Sequence, residues 1–207
     1  NTTMVSEKPD SWSAMWDPKY SGEILTFNNS RDAFGVAQYL LGYDVNSTNP
    51  DEWRAAEEKL KEQKPLIQSY VMDEVFNKME AGEAAMAPYY AGDYLTMKQE
   101  NDDLAFVYPK EGTNKFVDVM CIPSSSENKK AAELFINYMC EPEVALHNAN
   151  YLGYLCPVTA VLSDDRYEYK DNEVLYPKQE VKTQFFHNLD QDTLDLLSKL
   201  WEDLKLA

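Results

Sequence analysis

The chain has 207 residues, of which 36 are acidic and 19 are basic, giving a formal net charge of −17. Hydrophobic residues make up 44% of it, which indicates a folded globular protein and argues against intrinsic disorder. A field of this sign repels nucleic acid and anionic membrane surfaces and attracts cations, although an acidic surface can also serve only to keep a secreted protein soluble.

Predicted strands and helices alternate in the first part of the chain, and only helices are predicted in the last part. Residues 1–9 are polar and contain a proline, so a linker is predicted there, followed by one helical turn at 11–16. Strands are predicted at 22–27, 68–72, 84–90, 104–108 and 116–122, and helices at 29–41, 49–63, 73–81, 91–99, 129–140, 142–152 and 190–205. The alternation over residues 20–122 predicts an α/β layer on a mainly parallel sheet. The helical tail from residue 124 is expected to pack on something else.

Signals for catalysis, metal binding and disulfide bonding are weak. The two histidines, His147 and His187, are accompanied by no nucleophile elbow, phosphate-binding loop, dinucleotide fingerprint or zinc-protease motif. Cys121, Cys140 and Cys156 are too few and too scattered for a disulfide framework or a zinc site, and buried thiols are expected. We therefore predict a protein that is not an enzyme and has no cofactor and no metal.

Carboxylates and aromatic rings follow the predicted strands at their carboxyl ends, where open α/β sheets bind ligands. Asn29 and Asp32 stand three apart on the first turn of a predicted helix, so their side chains can face the same side. A helix cap plus an acid that stabilises the helix dipole explains this pair equally well. Tyr89 and Tyr90 end the strand predicted at 84–90.

Phe116 and Asp118 stand two apart in the strand predicted at 116–122, so they are expected to face the same side. An aspartate inside an apolar strand is costly without a partner. A positive ligand would provide that partner, and so would Arg31 or a backbone amide. Carboxylates accept charge-assisted hydrogen bonds from the ammonium groups of a polyamine. Aromatic rings cover its methylene chain and contribute about 0.5–2 kcal/mol per cation–π contact.

Short motifs in a fixed order extend this pattern along nearly the whole chain. They are SW at 11–12, PKYSG at 18–22, NSRDAF at 29–34, LGY at 41–43, GE at 82–83, YPKEG at 108–112, IP at 122–123, NY at 137–138, LGY at 152–154 and LYP at 175–177. In this series the chain resembles the polyamine-binding proteins of spermidine/putrescine ABC transporters. The ordered series is more specific than any single motif in it.

The resemblance implies a fold of the type II periplasmic-binding-protein class, in which two α/β lobes joined by hinge strands close on a ligand. It implies that this chain is the C-terminal portion of a longer protein. The domains expected on this basis are a linker and hinge entry at 1–9, a second lobe at 10–115, a hinge return strand at 116–123, and a helical C-terminal segment of an incomplete first lobe at 124–207. The tail helices are expected to pack on the lobe or on another copy of the chain.

The resemblance also implies ligand-binding roles at seven positions, which are Asn29, Asp32, Tyr90, Phe116, Asp118, Tyr154 and Asn188. The family commonly has aspartate where this chain has Asn29, glutamate where it has Asp32, and tryptophans where it has Tyr90 and Phe116. Asp118 and Tyr154 match the family pattern, and Asn188 corresponds to a pocket amide. The loss of one anion at Asn29 favours putrescine over spermidine.

The function implied is that of the substrate-binding component of a polyamine ABC transporter, with the permease as partner. The expected location is periplasmic or extracellular, either free or held by a lipid anchor at the outer face of the membrane. We expect the chain alone to bind polyamine weakly or not at all. Three alternatives stay open from the residues. They are a same-fold binding protein for another solute such as a sugar, a glycoside hydrolase that uses Asp32 and Asp118 as its carboxylate pair, and an interaction module without a ligand.

Overall fold

The structure is a computed structural model that describes residues 1–207, and it divides the chain into two compact units. Unit 1 comprises Asn1–Tyr89, Met97–Phe116 and Glu180–Ala207, and unit 2 comprises Tyr90–Thr96 and Val117–Gln179. Lobe boundaries in the complete protein stay a prediction.

The elements follow in chain order. The strands are β1 (Ile24–Phe27), β2 (Ile67–Val71), β3 (Thr113–Lys115) and β4 (Thr183–Phe185), and the helices are α1 (Ser30–Leu41), α2 (Pro50–Gln63), α3 (Glu74–Glu80), α4 (Ala91–Glu100), α5 (Lys129–Met139), α6 (Pro142–Leu152), α7 (Thr159–Leu162) and α8 (Gln191–Leu206). Short 3₁₀ helices occupy Trp12–Trp16, Pro18–Tyr20 and Lys64–Leu66.

The helix signals of the sequence are confirmed at the first two long helices. The Asn29 side chain accepts hydrogen bonds from the backbone at the start of α1, and Gly42 ends that helix with φ 74°, a left-handed conformation suited to glycine. Asn49 caps α2, and Pro50 occupies its first turn, where a missing N–H costs nothing. Helix α1 packs on β1, whose four residues are all buried, and α2 packs on α1.

The C-terminal helix α8 belongs to the core of unit 1. Its leucines pack with apolar side chains of α1 and α2 in one buried cluster, which consists of Phe34, Ala37, Trp53, Ala56, Leu60, Leu197, Leu200 and Leu204. This confirms the expectation that the tail helix packs on the rest of the chain.

Unit 2 has a smaller core built on α6 and α7. Ala145, Leu146 and Ala149 of α6 pack with Val161 of α7 and with Tyr167. Helix α5 contacts α6 but contributes no buried residue of its own. The helix predicted at 129–140 is present, but its apolar side chains are not buried.

The predicted sheet is larger than the observed one. Two sheets of two parallel strands form, β1 with β2 and β3 with β4, and the pairing of β3 with β4 was not anticipated. The strands predicted at 84–90, 104–108 and 116–122 are wrong as strands, since 84–90 retains only an isolated bridge between Ile24 and Met86. A strand needs a hydrogen-bonded neighbour, and a favourable side-chain pattern alone does not supply one.

The fold class is nevertheless as expected, since both sheets are parallel and are flanked by helices. All three cysteines are free thiols, as predicted, but the expected burial is wrong because Cys121 and Cys140 are exposed and Cys156 is half-buried. None of the helices has the length and apolar character required to cross a membrane.

Candidate ligand-binding site

The first group of predicted site residues lies where β1 ends and α1 begins. Asn29 is exposed, and its Oδ1 accepts hydrogen bonds from the backbone N–H groups of Arg31 at 2.9 Å and Asp32 at 3.3 Å. The two lone pairs of that oxygen are thus used for helix capping, as the structural interpretation predicts. Asp32 is buried, with 9% of its surface exposed, and is the carboxylate of this group.

Arg31 is held firmly inside unit 1. Its guanidinium donates to the Val45 carbonyl at 2.6 Å and to Asn46 Oδ1 at 2.9 Å. The same group lies 4.5 Å from the centre of the Phe186 ring and 5.5 Å from that of Trp53. Burial lowers the pKa of Arg31, and the nearby Asp32 carboxylate opposes that shift. The guanidinium therefore serves the packing of unit 1.

Asn46 also fixes the segment that follows β4. Its Nδ2 donates to the Phe185 carbonyl at 2.8 Å, and its Oδ1 accepts from the His187 backbone N–H at 2.7 Å. Asn188, the next residue, is exposed. Asn46 Oδ1 also accepts a hydrogen bond from Arg31 on the first turn of α1. The backbone next to Asn188 is therefore connected to that turn through Asn46.

Phe116 follows β3 directly, and its side chain is 42% exposed. Strand β3 pairs in parallel with β4 and contacts α1, so the carboxyl ends of β3 and β4 meet at one edge. Unit 1 therefore contains four of the seven predicted residues: Asn29, Asp32, Phe116 and Asn188.

The second group lies in unit 2 around Tyr154. Its ring packs directly on Gly92 of α4, because a Cβ on that glycine would lie 2.2–2.5 Å from three ring atoms. Any side chain at position 92 would have to displace the ring. Burial raises the pKa of Tyr154, and the Asp93 carboxylate, which accepts a hydrogen bond from the phenol, raises it further. Asp118 adds to this effect through its charge, so two carboxylates act on one phenol.

Two details of unit 2 differ from what the sequence suggests. Asp118 is exposed and lies outside any strand, so the argument that burial forces it to find a partner does not apply. Asp93 was not anticipated, although it stands three residues after Tyr90 at the start of α4, a spacing that places both on one helix side. Tyr90 itself is half-buried, and its carbonyl accepts from the Tyr94 backbone N–H at 3.0 Å.

Unit 1 thus has the Asp32 carboxylate on the first turn of α1, and unit 2 has the Asp93 and Asp118 carboxylates near the ring of Tyr154. An ionised carboxylate only accepts hydrogen bonds and never donates them, and ring faces attract cations. Both groups can accept an ammonium group, and no cluster of histidine, cysteine and acidic residues suited to a metal ion is present.

The parallel α/β architecture and these paired acceptor groups define a solute-binding protein, and the sequence match gives the family. Residues 1–175 match the model described as bacterial extracellular solute-binding protein, and the chain belongs to that family.

The individual relatives are more specific. The chain is 32% identical over 170 residues to the spermidine/putrescine-binding periplasmic protein of Escherichia coli, which covers 82% of this chain and 49% of that protein. Among solved structures, the spermidine/putrescine ABC transporter substrate-binding protein PotD from Streptococcus pneumoniae is 30% identical with a TM-score of 0.84, covering 100% of this chain and 64% of that one. A putative spermidine/putrescine ABC transporter from Listeria monocytogenes is 32% identical with a TM-score of 0.85, covering 100% and 65%.

The chain spans about half the length of the curated Escherichia coli relative. It spans less than two thirds of the two solved chains.

Proposed function

We propose that this chain is part of the extracytoplasmic substrate-binding component of a polyamine ABC transporter, and that the complete protein delivers putrescine or spermidine to a membrane permease. The observation that carries the proposal is the arrangement in unit 2, where the Asp93 and Asp118 carboxylates both act on the Tyr154 phenol. In unit 1 the buried Asp32 carboxylate on the first turn of α1 supplies a further acceptor. The names of the relatives support the same ligand class and a role in binding without catalysis.

In this proposal the ligand-binding residues are those predicted from the sequence. Asp32 and Asp118 accept hydrogen bonds from ammonium groups, and Tyr90, Phe116 and Tyr154 contact the methylene chain. Asn188 contributes an amide, and Asn29 contributes least because its oxygen already caps α1. Asp93 holds the Tyr154 phenol in place and adds a further negative charge.

The proposal includes the domain organisation expected from the resemblance. Residues 1–9 enter the hinge, 10–115 form the second lobe, 116–123 return through the hinge, and 124–179 belong to a first lobe that the rest of the parent protein completes. The resemblance implies that 180–207 lie in that first lobe too, but α8 packs in one core with α1 and α2, so we assign 180–207 to the second lobe. The net charge of −17 favours the arrival of a cationic ligand.

A ligand panel on the complete parent protein tests the function. Isothermal calorimetry is expected to detect tight binding of putrescine and spermidine, and none of maltose or glucose, because carboxylates and rings offer few donors to a sugar hydroxyl. The 207-residue chain alone is expected to bind the same amines weakly or not at all. Binding of a sugar without binding of an amine would refute the proposal and favour the same-fold alternative.

The exposed apolar side of α5 supports the view that unit 2 is incomplete. Leu134 and Phe135 are neighbours on that helix, Tyr138 lies one turn further on, and the three are 63%, 57% and 56% exposed. Val117 and Val119, in the segment predicted as a hinge strand, are 70% and 74% exposed. Exposed apolar patches of this kind mark an interaction surface. We propose that the rest of the parent protein covers this surface, and that a second copy covers it when the chain is alone.

Light scattering on the 207-residue chain tests whether a second copy covers this surface. The chain is expected to dimerise in the micromolar range, and Phe135→Lys is expected to shift it to monomer because a lysine charge is costly to bury. Asn137→Lys adds the same charge at an exposed polar position of α5 and should leave the dimer intact. A chain that stays monomeric at all concentrations, or that loses its dimer equally with both variants, would contradict self-association through this surface.

A further inference from the structure

The loop 42–49, which joins α1 to α2, holds the backbone that follows β4. Asn46 Nδ2 donates to the Phe185 carbonyl at 2.8 Å, and Asn46 Oδ1 accepts from the His187 backbone N–H at 2.7 Å. These partners are 139 and 141 positions apart in the chain. One side chain of the loop therefore binds a remote segment on both sides of one residue.

Strand β4 needs such support from outside its own sheet. It is three residues long and pairs with β3 in a sheet of two strands. A pair of short strands is only marginally stable in water. Asp44 Oδ1 adds to the support, since it accepts from Gln184 Nε2 at 3.4 Å and from the Asn46 backbone N–H at 2.9 Å. The course of the chain after β4 is thus set by the loop 42–49.

The ring of Phe186 holds the same segment against α1. The Arg31 guanidinium lies 4.5 Å from the centre of this ring, which is a cation–π contact. One turn further along α1, a Cβ on Gly35 would lie 2.9 and 3.4 Å from two atoms of the ring, so the ring fits because position 35 has no side chain. Glycine inside a helix is destabilising relative to alanine, and here its presence makes room for the ring.

Asn46 Oδ1 connects the segment after β4 to the first turn of α1. This oxygen accepts from the Arg31 guanidinium at 2.9 Å as well as from the His187 backbone N–H. Arg31 immediately precedes Asp32 in the sequence. His187 immediately precedes Asn188. A single oxygen atom therefore fixes the backbone at Asn188 relative to the backbone at Asp32.

We infer that Asn46 is a positioning residue for the ligand. Its amide already makes three hydrogen bonds within the protein, and through them it holds Asn188 where that side chain faces the same polyamine as the Asp32 carboxylate. Phe186, packed on Gly35, acts with it. A hydrogen bond weakens steeply when its distance or angle is wrong, so a shift of the segment lowers affinity without unfolding the protein. The inference rests on the proposed function, because it takes Asn188 and Asp32 as ligand-binding residues.

Hydrogen exchange in the 207-residue chain tests the contact without any ligand. Asn46→Ala removes the acceptor of the His187 amide, so exchange at His187 is expected to accelerate at least about tenfold. Thr48→Ala, at an exposed position of the same loop, should leave that rate unchanged. The Leu200 amide in α8 should keep its slow rate in both variants, because the core of unit 1 is not touched. An unchanged rate at His187 in Asn46→Ala would overturn the inference.

Titration of the complete parent protein with putrescine tests the effect on binding. Asn46→Ala is expected to raise the Kd about 3–10-fold, as the loss of one well-placed neutral hydrogen bond would. Thr48→Ala should leave the Kd within about twofold. Asn188→Ala should raise the Kd by a factor similar to that of Asn46→Ala. Combining these two substitutions should cause no further loss, because Asn46 acts through Asn188.

Gly35→Ala is a second variant that leaves Asn46 intact. Alanine favours a helix, so α1 is retained, while the new methyl group displaces the Phe186 ring. This variant should also raise the Kd and should add nothing to Asn188→Ala. Losses that add in both double variants would overturn the inference, since Asn46 and Gly35 would then act independently of Asn188. A parent protein that binds no amine would refute the proposed function and the inference with it, whereas the exchange result at His187 would stand.

Discussion

Leu204→Ala is expected to lower the free energy of unfolding of unit 1 by about 2–5 kcal/mol, because it removes a buried side chain and leaves a cavity. Leu204 has no exposed surface and packs in the cluster that joins α8 to α1 and α2. A typical domain is stable by about 5–15 kcal/mol, so this one substitution removes a large part of the total. Urea unfolding followed by tryptophan fluorescence measures it, since Trp12, Trp16, Trp53 and Trp201 all lie in unit 1.

Leu206→Ala provides the matched control in the same helix. Leu206 is 86% exposed, so the same chemical change there is expected to alter the free energy of unfolding by no more than about 0.5 kcal/mol. Equal losses from the two variants would mean that α8 is not anchored through its buried face. The structural assignment of the C-terminal helix to unit 1 would then be wrong.

The local signals in the sequence were sufficient for helices and insufficient for strands. Helix ends follow from nearby residues, such as the Asn29 and Asn49 caps and the Gly42 stop, so their positions could be predicted closely. Strands depend on a partner that is remote in sequence. The stretches 84–90 and 104–108 have strand-like side chains, but apart from the isolated bridge between Ile24 and Met86 neither forms a ladder with a neighbouring strand.

The candidate site shows the same division between local and long-range information. The proximity of Asn29 and Asp32 follows from helical spacing alone. The approach of Asp93 to Tyr154 could not be predicted, because it depends on a close contact between Gly92 and a ring 62 positions later in the chain. The exposure of Asp118 could not be predicted either, since an apolar strand pattern suggests burial but does not provide the elements that would cover it.

Asp118→Asn in the complete parent protein is expected to raise the Kd for putrescine by about 10–100-fold. A hydrogen bond to a charged group contributes about 1.5–3 kcal/mol, and about 1.4 kcal/mol corresponds to a tenfold change in Kd. The carboxylate is the acceptor that an ammonium group needs, and an amide of the same shape offers only a neutral oxygen. Because Asp118 is exposed and lies outside the helices and strands, the substitution should leave the unfolding temperature unchanged. Calorimetric titration of both proteins under the same salt conditions gives the comparison.

Asp171→Asn is the control that distinguishes a direct contact between Asp118 and the ligand from the long-range electrostatic attraction of an acidic protein for a cation. It removes the same charge from another exposed position in unit 2. Its effect on Kd should stay within about twofold and should diminish as salt is raised, since screening weakens interactions between distant exposed charges. The effect of Asp118→Asn should persist at high salt, because a direct hydrogen-bonded pair is screened much less. Similar losses in the two variants would show that Asp118 contributes only to the field of an acidic protein. In that case the ammonium group would have to be bound by Asp32 or Asp93, the two other carboxylates that the structure places beside the predicted ligand residues.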